Sequence, residues 1–126
     1  MEAHPLAAQL AQFTGSATFT RHGLVRSVLM TEGVAFLADE AGAHWLMDAI
    51  ASSQHEARAR AEPFQAWSLV VNAATRSAVL AMTDGNSPTE IIRQEIDYTD
   101  FPLAKMELWA IAEGDDDRVL MLPSEY

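Results

Sequence analysis

The sequence lacks cysteine, clustered glycine and long apolar runs, and each absence excludes a class of function. Without cysteine there can be no disulfides, thiolate catalysis, cysteine-ligated zinc or iron–sulfur clusters. The six glycines stand singly, which disfavours the glycine-rich loops that bind nucleotide phosphates. The G-x-S-x-G and S-x-x-K patterns of serine nucleophiles do not occur. No apolar run reaches the roughly 18 residues that a transmembrane helix needs.

Basic residues are also scarce. There are 8 Lys and Arg against 18 Asp and Glu, which gives a formal net charge of −10. Residues 1–81 carry a net charge of −2, whereas residues 82–126 carry −8. Such a surface repels nucleic acids and anionic membranes and attracts basic protein surfaces. We therefore expect a basic protein partner, with no direct binding to nucleic acid and no membrane association.

The composition indicates one folded domain. The chain has 126 residues, of which 49% are hydrophobic. This is enough for a core, so residues 1–126 are predicted to form a single domain. The first residues, Met-Glu-Ala-His-Pro, lack the basic segment and the apolar stretch of a signal peptide. The sequence therefore predicts a cytoplasmic protein.

The first half of the chain carries helical and turn signals. Apolar residues at helical spacing predict a short helix over residues 5–12. Two apolar runs flank residues 31–33, and this pattern predicts a β-hairpin in which Gly33 has a positive φ, with a helix over residues 34–41 as the alternative. Residues 40–55, rich in Ala, Leu and Met, are expected to form the one main helix, with Asp39 as its N-cap.

From Phe64 onward the hydrophobic period changes to two. Trp67, Leu69 and Val71 alternate with smaller residues, as is typical of a half-buried strand. Strands are predicted at residues 64–71, 77–83, 89–98, 105–111 and 119–122. Four or more strands at such short spacing are expected to form an antiparallel meander whose apolar face packs on the main helix. The predicted fold class is therefore α+β, in two layers.

Two sets of histidines are candidates for chemistry. His44 and Asp48 lie four residues apart on the predicted main helix, a spacing that can present a metal, but neither a third ligand nor an H-E-x-x-H pattern accompanies them. His22, beside Arg21, could bind an anion or act as a general base. The alternatives are a solvated helix face and an exposed loop histidine. A small hydrolase using His22 or the His44/Asp48 pair is the enzymatic alternative, and neither a cofactor nor a metal is predicted.

The tryptophans have different expected roles. Trp45 and Trp67 are predicted to lie in the core, where large aromatic side chains bury much area. Trp109 shares a strand face with Glu107 and Ile111. If that face is exposed, Trp109 is predicted to anchor an interface.

Several segments, spread over nearly the whole chain, resemble a small uncharacterised bacterial domain family. They are LAQFTG at residues 10–15, Arg-His at 21–22, MTEGV at 30–34, LADEAGAHWLMDAIA at 37–51, TDFPL at 99–103 and LPSEY at 122–126. The resemblance implies membership over the full length, in a domain of unknown function met in bacterial genomes and mobile elements. It implies no reaction, cofactor or catalytic residue.

These observations favour a non-enzymatic protein that binds a basic surface through an acidic sheet face. One hypothesis is a counter-defence inhibitor, such as an anti-CRISPR or anti-restriction protein, that occupies a basic nucleic-acid-binding groove. The predicted partner-binding residues are Glu90, Glu95, Asp97, Glu107, Trp109, Asp115, Asp116 and Asp117. The alternatives are a charge that only maintains solubility and a structural module that self-associates, for instance as a homodimer.

Overall fold

The computed structural model describes residues 5–15 and 18–126. In this part of the chain the α-helices are α1 (Pro5–Leu10), α2 (Glu32–Glu40), α3 (His44–Ser53) and α4 (Ala57–Arg60), and a 3₁₀ helix spans Pro123–Glu125. The strands are β1 (Thr20–Arg21), β2 (Val28–Met30), β3 (Phe64–Asn72), β4 (Ser77–Thr83), β5 (Ile92–Ile96), β6 (Lys105–Glu113) and β7 (Asp117–Met121). None of these helices is long and apolar enough to cross a bilayer. The prediction that the chain has no signal peptide rests mostly on residues 1–4, which lie outside the described ranges.

The described strands form one seven-stranded mixed sheet in the order β1-β2-β7-β6-β3-β4-β5. β2 pairs with β7 in parallel, and the other neighbouring strands pair antiparallel. The α+β class predicted from the sequence is confirmed. The five strands predicted after residue 63 are also confirmed, with ends that differ by a few residues. The expectation of a purely antiparallel sheet is wrong, because β2 enters it alongside β7.

The meander is interrupted after β5. β3, β4 and β5 follow one another, but β6 pairs with β3 instead of β5. The connecting residues 97–104 pass the ends of β4 and β3, where the Val71 N–H donates to the Ala104 carbonyl at 2.8 Å. Phe101 in this connection is buried in the core. Burial of its ring therefore holds the connection across the sheet end and directs β6 to the far side of β3.

The chain after β2 forms a helix, so the predicted β-hairpin is wrong. Thr31 has extended backbone dihedrals, and its hydroxyl accepts a hydrogen bond from the Val34 N–H at 3.3 Å, which makes it the N-cap of α2. Val34 and Leu37 then fall on one buried helical face. Periodicity alone does not separate a short apolar strand from a short apolar helix. Gly33 lies in the first turn of α2, and its φ is not positive.

The predicted main helix is divided as well. α2 ends at Glu40, and Gly42, with a φ of +59°, redirects the chain before α3 begins at His44. Asp39, predicted as an N-cap, belongs to α2, and no side chain caps α3. The layer above the sheet is thus built from several short helices instead of one main helix.

The helices cover one face of the sheet, here called the inner face, and form the core with it. Trp67 is 1% exposed, which confirms its predicted core position. The principal members of this core are Leu37, Leu46, Met47 and Ile50 from the helices and Trp67, Leu69, Leu80, Met82, Leu108 and Leu120 from the strands. Trp45 is half-buried against the same cluster.

A buried pair of glutamines crosses this core. Gln54, the C-cap residue of α3, and Gln65 of β3 exchange two amide hydrogen bonds at 2.7 and 2.9 Å. Gln65 also accepts from the Trp67 indole N–H at 2.9 Å and donates to the Ala59 carbonyl at 2.7 Å. A buried polar network is stabilising only when its members are satisfied. Here it fixes the position of α3 and α4 on β3.

The residues after β7 dock against the first turn of α2. The Glu125 carboxylate accepts hydrogen bonds from the Gly33 N–H at 3.1 Å, from the Leu122 N–H at 3.0 Å and from the Thr31 hydroxyl. A carboxylate at a helix N-terminus is stabilised by the free N–H groups and the helix dipole. A Cβ on Gly33 would lie 2.6 Å from both Glu125 Oε1 and Leu122 Cδ1. Glycine is therefore required here for close approach, not for a turn.

Replacing Gly33 by alanine should destabilise the protein, because the new Cβ displaces a carboxylate held by several hydrogen bonds. We expect the free energy of unfolding to fall by about 1–3 kcal/mol, the usual cost of overpacking. Gly23→Ala is the matched control, since a Cβ there meets no atom within 4 Å. Urea unfolding followed by tryptophan fluorescence measures both variants. Equal stability of the two would show that the docked C-terminal residues tolerate the extra carbon.

Candidate functional site

No described α-helix packs on the second face of the sheet, here called the outer face. Directly paired residues of neighbouring strands point to the same face. The pairings Ser68↔Glu107 and Ala66↔Trp109 therefore place these side chains together, opposite the buried Trp67. Along β3 and β6 the outer residues are half-exposed or exposed, whereas most inner residues are buried. Trp109 thus lies on an open face.

Three aromatic side chains, Phe64, Trp109 and Tyr126, form a row on this face, here called the aromatic row. The ring centroids of Phe64 and Trp109 are 5.1 Å apart at an interplanar angle of 61°. Those of Trp109 and Tyr126 are 5.4 Å apart at 79°. Both are edge-to-face contacts, which aromatic pairs prefer over face-to-face stacking. Tyr126 is 78% exposed, so the row presents aromatic surface to solvent.

The turn after β4 supports one end of the aromatic row. Asp84 accepts hydrogen bonds from the Asn86 N–H at 2.9 Å and the Ser87 N–H at 3.0 Å, and these bonds lower the pKa of the Asp84 carboxyl. Gly85, with a φ of +84°, lies so close to Phe64 that a Cβ would be 2.8 Å from its ring. The glycine therefore lets the turn pack directly on the Phe64 ring.

Some of the predicted acidic residues are already paired with bases. The pairs are Glu90–Arg93 at 3.0 Å, Glu107–Lys105 at 3.4 Å and Asp117–Arg21 at 3.4 Å. Exposed ion pairs of this kind contribute about 0–1 kcal/mol to stability. Their main effect is to neutralise charge locally, so these acids present little free charge to a partner.

The remaining predicted acids are Glu95, Asp97, Asp115 and Asp116, which are exposed and form no ion pair within 4.0 Å in the described ranges. Glu95 and Asp97 lie at the end of edge strand β5, whereas Asp115 and Asp116 lie in the turn between β6 and β7. From strand spacing and rise per residue, these two acidic corners are roughly 30 Å apart. The structure therefore does not bring the predicted residues into one acidic patch. Trp109 lies between the two corners.

Sequence reasoning did not identify Phe64 and Tyr126 as site residues. The signal for Phe64 is present, because the period-two alternation puts it with Ala66 on the face opposite Trp67. No comparable signal exists for Tyr126. Its contact with Trp109 depends on how the chain turns after β7.

The structure joins two residues from different predicted sites, His22 and Asp48. The His22 side chain is 6% exposed, and its Nε2 lies 2.7 Å from Asp48 Oδ1. Its Nδ1 accepts hydrogen bonds from the N–H groups of Leu24 at 3.2 Å and Val25 at 3.0 Å. Nδ1 therefore holds the lone pair, and Nε2 donates to the carboxylate. Neither nitrogen is left to accept a proton from a substrate.

His44 has a different partner from the one expected. Its Nε2 lies 2.9 Å from Asp39 Oδ1, and both side chains are exposed. His44 and Asp48 share α3 without forming a pair. In the described part of the chain, no three His, Asp or Glu side chains converge on a metal position. The geometry does not favour the hydrolase alternative, which stays a prediction.

Removing the His22 ring should destabilise the protein, because Nδ1 is the hydrogen-bond acceptor for two backbone N–H groups. We expect His22→Ala to lower the free energy of unfolding by about 1–3 kcal/mol, because it leaves buried N–H donors unpaired. His22→Asn should recover about 1 kcal/mol, since an asparagine oxygen can accept from the same backbone groups. His44→Ala, at an exposed position, should change stability by less than about 0.5 kcal/mol. Chemical denaturation would reject the role of Nδ1 if the asparagine and alanine variants were equally unstable.

Comparison with known proteins places this chain in a family. No curated protein and no solved structure matches the chain. A family of unknown function (DUF6876) matches residues 4–126, which include every described helix and strand. The sequence resemblance to an uncharacterised domain family over nearly the whole chain is thereby confirmed. The chain belongs to the family of unknown function DUF6876.

Proposed function

We propose that this protein is a binding module that docks a basic protein partner on the outer face of its sheet. The observation that carries the proposal is the aromatic row, in which Tyr126 is exposed and Phe64 and Trp109 are half-buried, on a sheet face that no described α-helix covers. A solvated sheet face usually carries polar side chains. Exposed aromatic surface with a polar rim is typical of protein interfaces, in which tryptophan and tyrosine contribute much of the binding energy.

The surroundings of the aromatic row fit this role. Val70 is exposed and pairs with Val79, so apolar surface continues across the face. Met121 pairs with Trp109 and extends the apolar surface toward β7. A centre of apolar and aromatic groups with charges at its margin is the usual anatomy of an interface. We assign Trp109 as the anchor, because its ring contacts both other members of the row.

The charges favour a basic partner over a second copy of this chain. Glu95 and Glu113 are exposed on the outer face, and neither forms an ion pair within 4.0 Å in the described ranges. Two copies docked face to face would bring such carboxylates together. A basic surface would instead be steered toward the face, and added salt would weaken that steering. This repulsion supports a different protein over a homodimer.

The specific form of the proposal is a partner whose basic surface normally holds nucleic acid, as in counter-defence inhibition. Its support is the net charge of −10 together with the two acidic corners, roughly 30 Å apart. Corners separated in this way would contact basic patches on either side of an aromatic anchor. The charges at each corner would raise the rate of association, and the buried contacts of Trp109 would lower the rate of dissociation.

Substitution of Trp109 tests the docking face. The immobilised protein is exposed to an extract of the cells that make it, the captured partner is purified, and the affinity is measured by calorimetry. Trp109→Ala should weaken binding at least about thirtyfold, the effect of losing a hot-spot residue of about 2 kcal/mol. Trp109→Phe should recover part of the affinity, because it keeps an aromatic ring between Phe64 and Tyr126.

The acidic corners are tested with a charge-matched control. Glu95→Gln combined with Asp97→Asn should slow association and flatten its salt dependence while dissociation stays the same. Glu40→Gln combined with Asp39→Asn removes the same charge from α2 and should leave the kinetics unchanged. Urea unfolding checks that each variant is folded. A partner whose affinity falls with the α2 variants but not with Trp109→Ala would overturn the proposed face.

A further inference from the structure

We infer that a groove beside the aromatic row is the subsite for one arginine or lysine side chain of the partner. The groove has a volume of about 460 Å³ and lies between Phe19 and strands β2 and β7. This volume is in the range of about 300–1,000 Å³ that small-ligand pockets have. The inference rests on the proposed function, because the groove opens on the same face as Trp109.

The register connects the groove to the docking face. Leu29 pairs with Val119, and Met121 pairs with Trp109, so the apolar wall of the groove continues into the aromatic row. Phe19, which is half-exposed, lines the groove as well. A partner that covers Trp109 would therefore also cover this groove. A side chain that enters it meets an apolar wall.

The mouth of the groove is negatively charged. Glu113 is exposed, and no ion pair within 4.0 Å reaches it in the described ranges. Glu125 also lines the groove, but its oxygens accept hydrogen bonds from the Gly33 and Leu122 N–H groups and from the Thr31 hydroxyl. Glu113, which pairs with Asp117 at the start of β7, is therefore the carboxylate with capacity for a new donor, whereas Glu125 is bound next to Leu122, past the other end of β7.

A long cationic side chain matches both features of the groove. Arginine and lysine pack their methylene stems on apolar surface and keep the charged head at a polar edge. An acidic side chain would be repelled by Glu113. An uncharged apolar side chain would pack on the apolar wall but would not form an ion pair with Glu113. The chemistry therefore selects a basic residue, consistent with the partner proposed above.

The subsite is tested on the isolated protein with small probes. Methionine methyl groups are labelled with ¹³C, and the Met121 resonance is assigned from its loss in Met121→Leu. N-acetyl-arginine N-methylamide should shift the Met121 resonance saturably, while that of Met82, buried on the inner face, stays in place. N-acetyl-norleucine N-methylamide, which lacks the charge, should bind about threefold more weakly, as expected for a partly exposed ion pair.

Charge-matched variants identify the carboxylate. Glu113→Gln should lower the affinity for the arginine probe about threefold and leave the affinity for the norleucine probe unchanged. Glu40→Gln removes the same charge from α2 and should not affect either probe, because Glu40 does not line the groove. Equal affinity of the two probes, a linear shift without saturation, or equal effects of the two variants would each overturn the inference.

The outcomes separate the subsite from the docking face. If the arginine probe fails to bind while Trp109→Ala still weakens partner binding as expected, the subsite is wrong and the docking face stands. If the arginine probe binds as expected while Trp109→Ala leaves partner binding intact, the proposed function is wrong and the groove remains a cation subsite.

Discussion

The pairing of β2 with β7 is the contact on which the rest of this structure depends. The two strands come from opposite ends of the chain and run parallel, and the Thr31 N–H continues the ladder to the Leu120 carbonyl at 3.1 Å. Directly beyond it, Glu125 accepts from the first turn of α2. Because α2 begins where β2 ends, this junction sets the position of the helices over the sheet. Closing so long a loop costs conformational entropy, which the packing of the helices on the inner face must offset.

The candidate site exists because the helices cover only the inner face of the sheet. Neighbouring residues of β3 point in opposite directions, so Trp67 enters the core while Ala66 pairs with Trp109 on the open face. The fold also separates the acidic residues of the segment 82–126 from one another. Three of the predicted acids pair with nearby bases, and the four predicted acids without an ion pair in the described ranges lie at two corners of the sheet. A centre of apolar character with charge at its margins is better suited to a protein surface than to a small substrate.

The His22–Asp48 contact shows why a short distance between an imidazole and a carboxylate does not define catalysis. Its 2.7 Å separation resembles an acid–base pair. The backbone N–H groups that bond to Nδ1 give the ring a structural role instead, because they hold the loop at residues 22–25 against α3. The state of the second nitrogen decides between the two readings. Only the folded chain reveals it.

The sequence by itself determined the features that depend on local periodicity. These are the α+β class, the first helix, the strands after residue 63 and the burial of Trp67. The tertiary structure decided the rest: residues 32–40 as a helix, the parallel β2–β7 pairing, the place of β6 beside β3, the partner of His22, and the contact of Tyr126 with Trp109. Each of these depends on contacts between residues far apart in the sequence. The energies of such contacts leave no trace in the spacing of neighbouring residues, so local patterns could not predict them.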